Sequence, residues 1–223
     1  MTQIIGLVGR SGSGKTTAAK VIQYITSRAE YAWLVNQSLE DFIEEYGKDD
    51  NPCLYAANEG VICAPWRIKS FAHKLKLFAS MLTGFPVEKW DDQSFKESYM
   101  PTQWGKMTCR QFLQKLGTDG MRDAVHPHIH INGLFADYNT TSHWIIPDVR
   151  FRNECDAIKS RGGLVIWIDR KTTKGDLHQS ETEMNTFRDL CDAQIDNNGT
   201  LEDLRFLLQV FLSQYNILPT IPA

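Results

Sequence analysis

At 223 residues, 42% of them hydrophobic, the chain is long enough for one substantial core, or one core with an inserted lid, and we read a single domain over 1–223. A formal net charge of −3, from 24 basic and 27 acidic side chains with no long basic block, argues against tight binding to nucleic acid or to an anionic membrane. No apolar run approaches the roughly 18 residues that span a bilayer, and no charged segment precedes an apolar one at the start, so a cytosolic protein is expected. The five cysteines, Cys53, Cys63, Cys109, Cys155 and Cys191, contain no CxxC pair. They are expected to be free and mostly buried thiols.

Short apolar runs alternate with helical patterns, which predicts an α/β fold with a mainly parallel sheet and helices on both faces. The first strand is Ile4 to Val8. It runs directly into Gly9-Arg10-Ser11-Gly12-Ser13-Gly14-Lys15-Thr16, the full GxxxxGK[ST] spacing of a phosphate-binding loop. Glycines there permit the positive φ that turns successive N–H groups inward around an anion, and the helix that follows adds its unsatisfied first-turn donors. A triphosphate with its metal is therefore the expected ligand, and Gly12, Ser13, Gly14, Lys15, Thr16 and Thr17 are the candidates for binding it. Lys15 would reach the β- and γ-phosphates and the Thr16 hydroxyl would be a magnesium ligand. The helix is predicted independently, because Ala18, Val21, Ile22 and Ile25 fall on one stripe.

Residues 28–65 are acidic and read as an inserted surface segment around a short helical pattern at Leu39, Phe42, Ile43 and Tyr46. A second strand is predicted over Arg67 to Phe71. The stretch 82–107 is polar and turn-rich and would suit a mobile flap. Thr108-Cys109-Arg110-Gln111 resembles a capping box, so a helix is expected to begin at Thr108. Arg110, Gln114 and Gly117 then share one face, and Phe112, Leu113 and Leu116 another. Gly117-Thr118-Asp119-Gly120 is expected as a loop or helix break with backbone and hydroxyl donors. Alone, Arg110 would read as a solvated helix arginine.

Further strands are predicted over His143 to Pro147, Leu164 to Asp169 and Ala193 to Asp196. Ligands of open α/β sheets bind beyond the carboxyl ends of the strands, where Asp148 would lie. Asp148 could orient a magnesium-bound water or accept a substrate hydrogen bond. Arg150 and Arg152 suit the charge spread over a transferring phosphoryl group, and Glu154 could orient an arginine or receive a sugar hydroxyl. The alternative is a surface ion-pair cluster at a helix start. Arg161-Gly162-Gly163 reads as a helix end with glycine at the left-handed cap position, and Thr200 with Asp203 as the start of a last helix carrying Leu201, Leu204, Leu207, Leu208, Phe211 and Leu212. Arg170 and Lys171 could touch ATP or merely solvate a loop.

Two further features have more than one reading. His126, His128 and His130 lack a carboxylate or cysteine at suitable spacing, which favours a polar loop near the acceptor over a metal site. Trp66, Trp104 and Trp144 could stack on a base, but packing is the commoner role.

With these residues in view, the sequence resembles the bacteriophage deoxynucleoside monophosphate kinases, a branch of the P-loop nucleoside monophosphate kinases. Beyond the loop, the resemblance rests on Ser70-Phe71-Ala72 with Leu75-Lys76, the RxxxQxxGTD stretch from Arg110 to Asp119, and the DxRxxxE stretch from Asp148 to Glu154. It also includes His178-Gln179-Ser180-Glu181 and the tail Asp196-Asn197-Asn198-Gly199-Thr200-Leu201. It implies a three-layer P-loop kinase fold with an inserted flap or lid, and transfer of the γ-phosphoryl of ATP, with magnesium, to a deoxynucleoside monophosphate. It assigns Arg110, Gln114, Gly117, Thr118, Asp148, Arg150 and Glu154 to the acceptor, and makes Lys15, Arg110, Arg150 and Asp148 the candidate catalytic residues. Homodimers are common in the family, and a viral member would act in the host cytoplasm. Gln111 stands where relatives can carry a second basic residue, which implies a weaker positive field on the acceptor phosphate. The rival readings are another P-loop kinase, acting on a coenzyme precursor or a sugar acid, and a nucleotide-dependent switch that is not an enzyme.

Overall fold

Apolar runs that are too short for helices and buried on both faces can satisfy their backbones only by pairing with one another, and here they form one parallel sheet. The computed structural model describes residues 3–31, 37–56, 60–139, 141–171 and 185–218. In chain order the strands are β1 (Ile4–Val8), β2 (Cys53–Ala56), β3 (Gly60–Cys63), β4 (Trp66–Ile68), β5 (His143–Ile146), β6 (Leu164–Asp169) and β7 (Ala193–Asp196). The large sheet runs β4-β5-β1-β6-β7 with every neighbouring pair parallel, while β2 and β3 form a separate antiparallel hairpin. The helices are α1 (Lys15–Glu30), α2 (Leu39–Tyr46), α3 (His73–Thr83), α4 (Gln93–Glu97), α5 (Cys109–Gln114), α6 (Ile129–Phe135), α7 (Arg152–Lys159) and α8 (Leu201–Gln214). This is the α/β fold with a parallel sheet that the pattern predicted.

Contacts divide the chain into two compact units, Met1–Lys69 with Asn139–Ala223, and Ser70–Tyr138. In the first, β1 is buried along its whole length, as a central parallel strand must be. Its side chains alternate between faces. Ile5 and Leu7 join the core that α1, α2 and α8 cover through Ala18, Ile22, Phe42 and Leu208. On the opposite face Gly6 admits α7, because a Cβ there would stand 2.7 Å from Ile158 Cδ1.

Two predicted strands end early. The β5 ladder stops at Ile146 because Pro147 has no N–H to donate. At β4 the last rung is Lys69 N–H to Ile145 O at 2.8 Å, and Ser70 then begins the turn into α3. Within 28–65, Ser38 caps α2, and Leu39 and Phe42 are buried in the main core, so only the acidic side of that helix meets water. Lys20 and Gln23 of α1 add a polar clasp. Gln23 Nε2 donates to the Asp50 and Trp66 carbonyls, and Lys20 Nζ to Asp49 O, which ties the chain on either side of the hairpin to the helix.

The second unit has its own apolar centre of Ala79, Trp90, Met100, Cys109 and Phe112. The stretch 82–107 supplies much of it, with Phe85 and Phe95 packed edge-on to Trp90. α5 starts where predicted, with the reciprocal Thr108–Gln111 capping box. The break expected over Gly117–Gly120 is corrected: the helix continues with the wider π pitch over Lys115–Asp123. The wider turn leaves the Gly117 carbonyl to bond His130 Nε2 at 2.9 Å.

Candidate active site

The turn from β1 to α1 is built almost entirely from backbone. Gly9, Gly12 and Gly14 have φ of 153°, 77° and 92°, which side chains resist. Space excludes side chains as well. A Cβ on Gly9 would stand 2.3 Å from Ile168 O, and one on Gly14 would stand 2.3 Å from Asn197 Nδ2. Gly14 is the N-cap of α1, no side chain caps that end, and its first turn carries no acidic residue. Its leading N–H groups and the positive end of the helix dipole therefore suit an anion. Lys15 Nζ donates to the Gly9 and Arg10 carbonyls at 2.6 and 2.9 Å. A phosphate oxygen is a stronger acceptor than either. Main-chain donors, one ammonium and the exposed Thr16 hydroxyl thus fit a nucleotide polyphosphate and its magnesium, with Ser13 buried and Thr17 half-buried beside them.

In the same unit, Asp148 and Arg150 follow β5, the first half-buried and the second exposed. Val149 between them is fully buried. Glu154 is only 3% exposed, and its Oε2 accepts from the N–H groups of Arg150 at 2.8 Å and Phe151 at 3.1 Å. This oxygen satisfies donors at the start of α7, where negative charge also complements the dipole. Glu154 accordingly positions the Arg150 backbone.

In the second unit, Arg110 and Gln114 lie along α5, and Gly117 and Thr118 on the π-helical turn. Arg110 donates through Nε and Nη2 to Glu97 Oε1, at 3.1 and 2.8 Å. Gly117 is buried, and a Cβ there would stand 2.7 Å from Leu75 Cδ2. Phe112 is buried with Leu113 and Leu116 packed beside it, as the predicted apolar face requires. Gln111 is used locally, since its Oε1 accepts from Thr108 N at 2.9 Å.

Comparison with known proteins adds two findings. A protein of Acanthamoeba polyphaga mimivirus, provisionally named a deoxynucleotide monophosphate kinase, is 32% identical over 216 residues, covering 90% of this chain and 91% of that protein. The family described as deoxynucleotide monophosphate kinase matches residues 75–207, more than half of the chain. This chain belongs to the deoxynucleotide monophosphate kinase family. It is therefore a phosphotransferase. The matched span holds Arg110, Gln114, Asp148, Arg150 and Glu154, whereas the glycine loop lies outside it and rests on its own geometry.

Sequence reasoning missed several partners that this kinase uses. Asn197, part of the tail stretch of the resemblance, donates its side-chain amide to Ser13 O at 2.8 Å from 184 residues away, a partner that the tail pattern does not reveal. Glu97 as the partner of Arg110 is equally invisible in the spacing. Arg188 pairs with Asp169 at 2.6 Å and lies 4.7 Å over the Trp167 ring. His126 Nδ1 accepts from the His128 N–H at 3.0 Å, and among the described residues no group of three or more His, Cys, Asp or Glu could hold a metal. His178 to Glu181 lie outside the described residues.

Proposed function

We propose that the protein transfers the γ-phosphoryl group of ATP to a deoxynucleoside 5′-monophosphate, giving the diphosphate and ADP. The observation that carries the donor half is the glycine loop: positive-φ backbone, an uncapped helix start, and Lys15 at its mouth. Membership of the family supports the acceptor half.

In this reading an oxygen of the acceptor phosphate attacks the γ-phosphorus as the bond to the β,γ-bridging oxygen breaks. The acceptor is already anionic, so no strong general base is needed and the protein acts by positioning and charge neutralisation. Lys15 and the loop N–H groups hold the donor phosphates. Arg150 and Arg110 offer guanidinium forks to the acceptor phosphate and to the charge in flight. Gln114, Gly117 and Thr118 bind the acceptor nucleotide, with Asp148 accepting from it, while Glu154 keeps the Arg150 backbone in place. Magnesium, held by Thr16, would neutralise charge on the donor phosphates. We also propose closure of the 82–107 segment over the substrate and assembly as a homodimer, the latter checked by light scattering.

The deciding experiment is a coupled ADP-release assay with each of the four deoxynucleoside monophosphates. Turnover that depends on at least one of them is expected. Inactivity with all four, together with turnover of a coenzyme precursor or sugar acid, would overturn the substrate assignment. ATP hydrolysis that ignores every monophosphate but responds to a protein partner would overturn the reaction itself.

A further inference from the structure

Asn197 stands one residue beyond β7 and is 7% exposed. Its own N–H donates to Asp169 O at 2.7 Å, so the backbone beneath it is a continuation of the β6–β7 ladder. From that fixed base its side-chain Nδ2 donates to the carbonyl oxygen of Ser13 at 2.8 Å. The Ser13 N–H donates to Arg10 O at 3.1 Å on the other side of the residue, and its hydroxyl is buried with no partner among the described residues, so Asn197 is what holds the Ser13 carbonyl.

The Ser13 carbonyl and the Gly14 N–H belong to one peptide unit. In a planar trans peptide they point in opposite directions. Holding the oxygen toward Asn197 therefore aims the Gly14 N–H away from it. Gly14 has φ 92° and ψ 20°, a conformation that glycine enters and leaves cheaply, so its peptide needs an external hold to keep one orientation. The two residues also fit only each other, because a Cβ at Gly14 would stand 2.3 Å from the same Nδ2.

We propose that Asn197 is a positioning residue of the donor site, holding the Ser13–Gly14 peptide with its carbonyl turned toward β7 and its N–H turned toward the nucleotide phosphates. This rests on the reading of the glycine loop as the ATP site. The position calls for a neutral donor. A carboxylate of the same shape would face the Ser13 carbonyl with an acceptor and set a negative charge beside the phosphates.

The test uses Asn197→Asp, which preserves size and shape, and Asn197→Ala. Magnesium-ADP affinity is measured by calorimetry, and KM is measured separately for ATP and for the acceptor. Both variants are expected to weaken ADP roughly tenfold or more, the size of one buried hydrogen-bond partner lost. KM for ATP rises in parallel, and KM for the acceptor stays within about twofold. In Asn197→Asp the defect shrinks as pH falls, because a protonated carboxyl regains a donor, whereas Asn197→Ala shows no such recovery. ADP affinity unchanged in Asn197→Ala, or an equal loss for both substrates, overturns the positioning role. If a variant fails to fold, wild-type NMR decides. The Asn197 side-chain amide and the Gly14 amide are expected to shift together on ADP addition, and a Gly14 shift with Asn197 unmoved counts against the proposal. Wild-type protein that binds no ADP would instead remove the donor-site reading, and this inference with it.

Discussion

Lys15 is the side chain whose proposed role reads most directly from sequence, because an ammonium beside a glycine cradle suits a phosphate oxygen better than the Gly9 and Arg10 carbonyls it meets here. Replacing it as Lys15→Met should lower kcat on the order of 10²-fold or more, the loss typical of one preorganised donor to transition-state charge, with the fold intact by circular dichroism. Glu154 teaches the opposite lesson. Its spacing from Asp148 and Arg150 suggested either the orienting of an arginine or the receipt of a sugar hydroxyl, and its Oε2 accepts from two backbone N–H groups, one of them that of Arg150. Glu154→Gln should therefore cost about 1–2 kcal/mol in denaturant unfolding, as lost caps do, and raise KM for the acceptor by loosening Arg150. His143 sets a pH limit. Burial lowers its pKa below the usual 6.5, in keeping with its Nδ1 accepting from Gln3 N–H at 3.2 Å and its stacking on Trp66. The unfolded chain protonates first as pH falls, so this contribution is complete above about 6.5 and is lost below it. The melting temperature should drop from pH 7 to pH 5, and less steeply in His143→Gln.

Elements were legible wherever a period and a cap agreed. Strands β1, β6 and β7 have their predicted bounds, and α8 begins at Thr200 with the Asp203 capping box. The first stripe of α1 is buried as Ala18, Val21, Ile22 and Ile25 required. What failed was the helix continuation after α5. Two glycines in four residues argue locally for a break, but the packing of Gly117 on Leu75 and its carbonyl bond to His130 carry the helix on in a wider turn. The stretch 82–107 shows the same limit of local reasoning. Its polar composition hid an aromatic cluster centred on Trp90, which has no exposed surface. Trp90→Ala should destabilise the second unit by about 3–5 kcal/mol, measured by urea unfolding, while leaving the glycine loop able to bind ADP.

For the molecule as a whole, a ligand that binds only the folded chain stabilises it, by about 2.7 kcal/mol at a hundred times its Kd. Magnesium-ADP at that level should raise the melting temperature by roughly 5–10 °C. No shift at any concentration would speak against the donor site. By itself the sequence determined the α/β class, the phosphate loop and its helix, the carboxyl-end location of Asp148 and Arg150, and the resemblance that family membership bore out. These are written in spacings of a few residues, over which backbone geometry and side-chain period act directly. Only the tertiary structure decided that Glu154 caps a helix, that Glu97 holds Arg110, and that Asn197 reaches Ser13. Glu97 with Arg110, and Asn197 with Ser13, are separated in the chain, so their donors and acceptors meet only once each unit has folded. Glu154 acts locally, yet its spacing alone left open whether the carboxylate would meet an arginine, a sugar hydroxyl or the backbone.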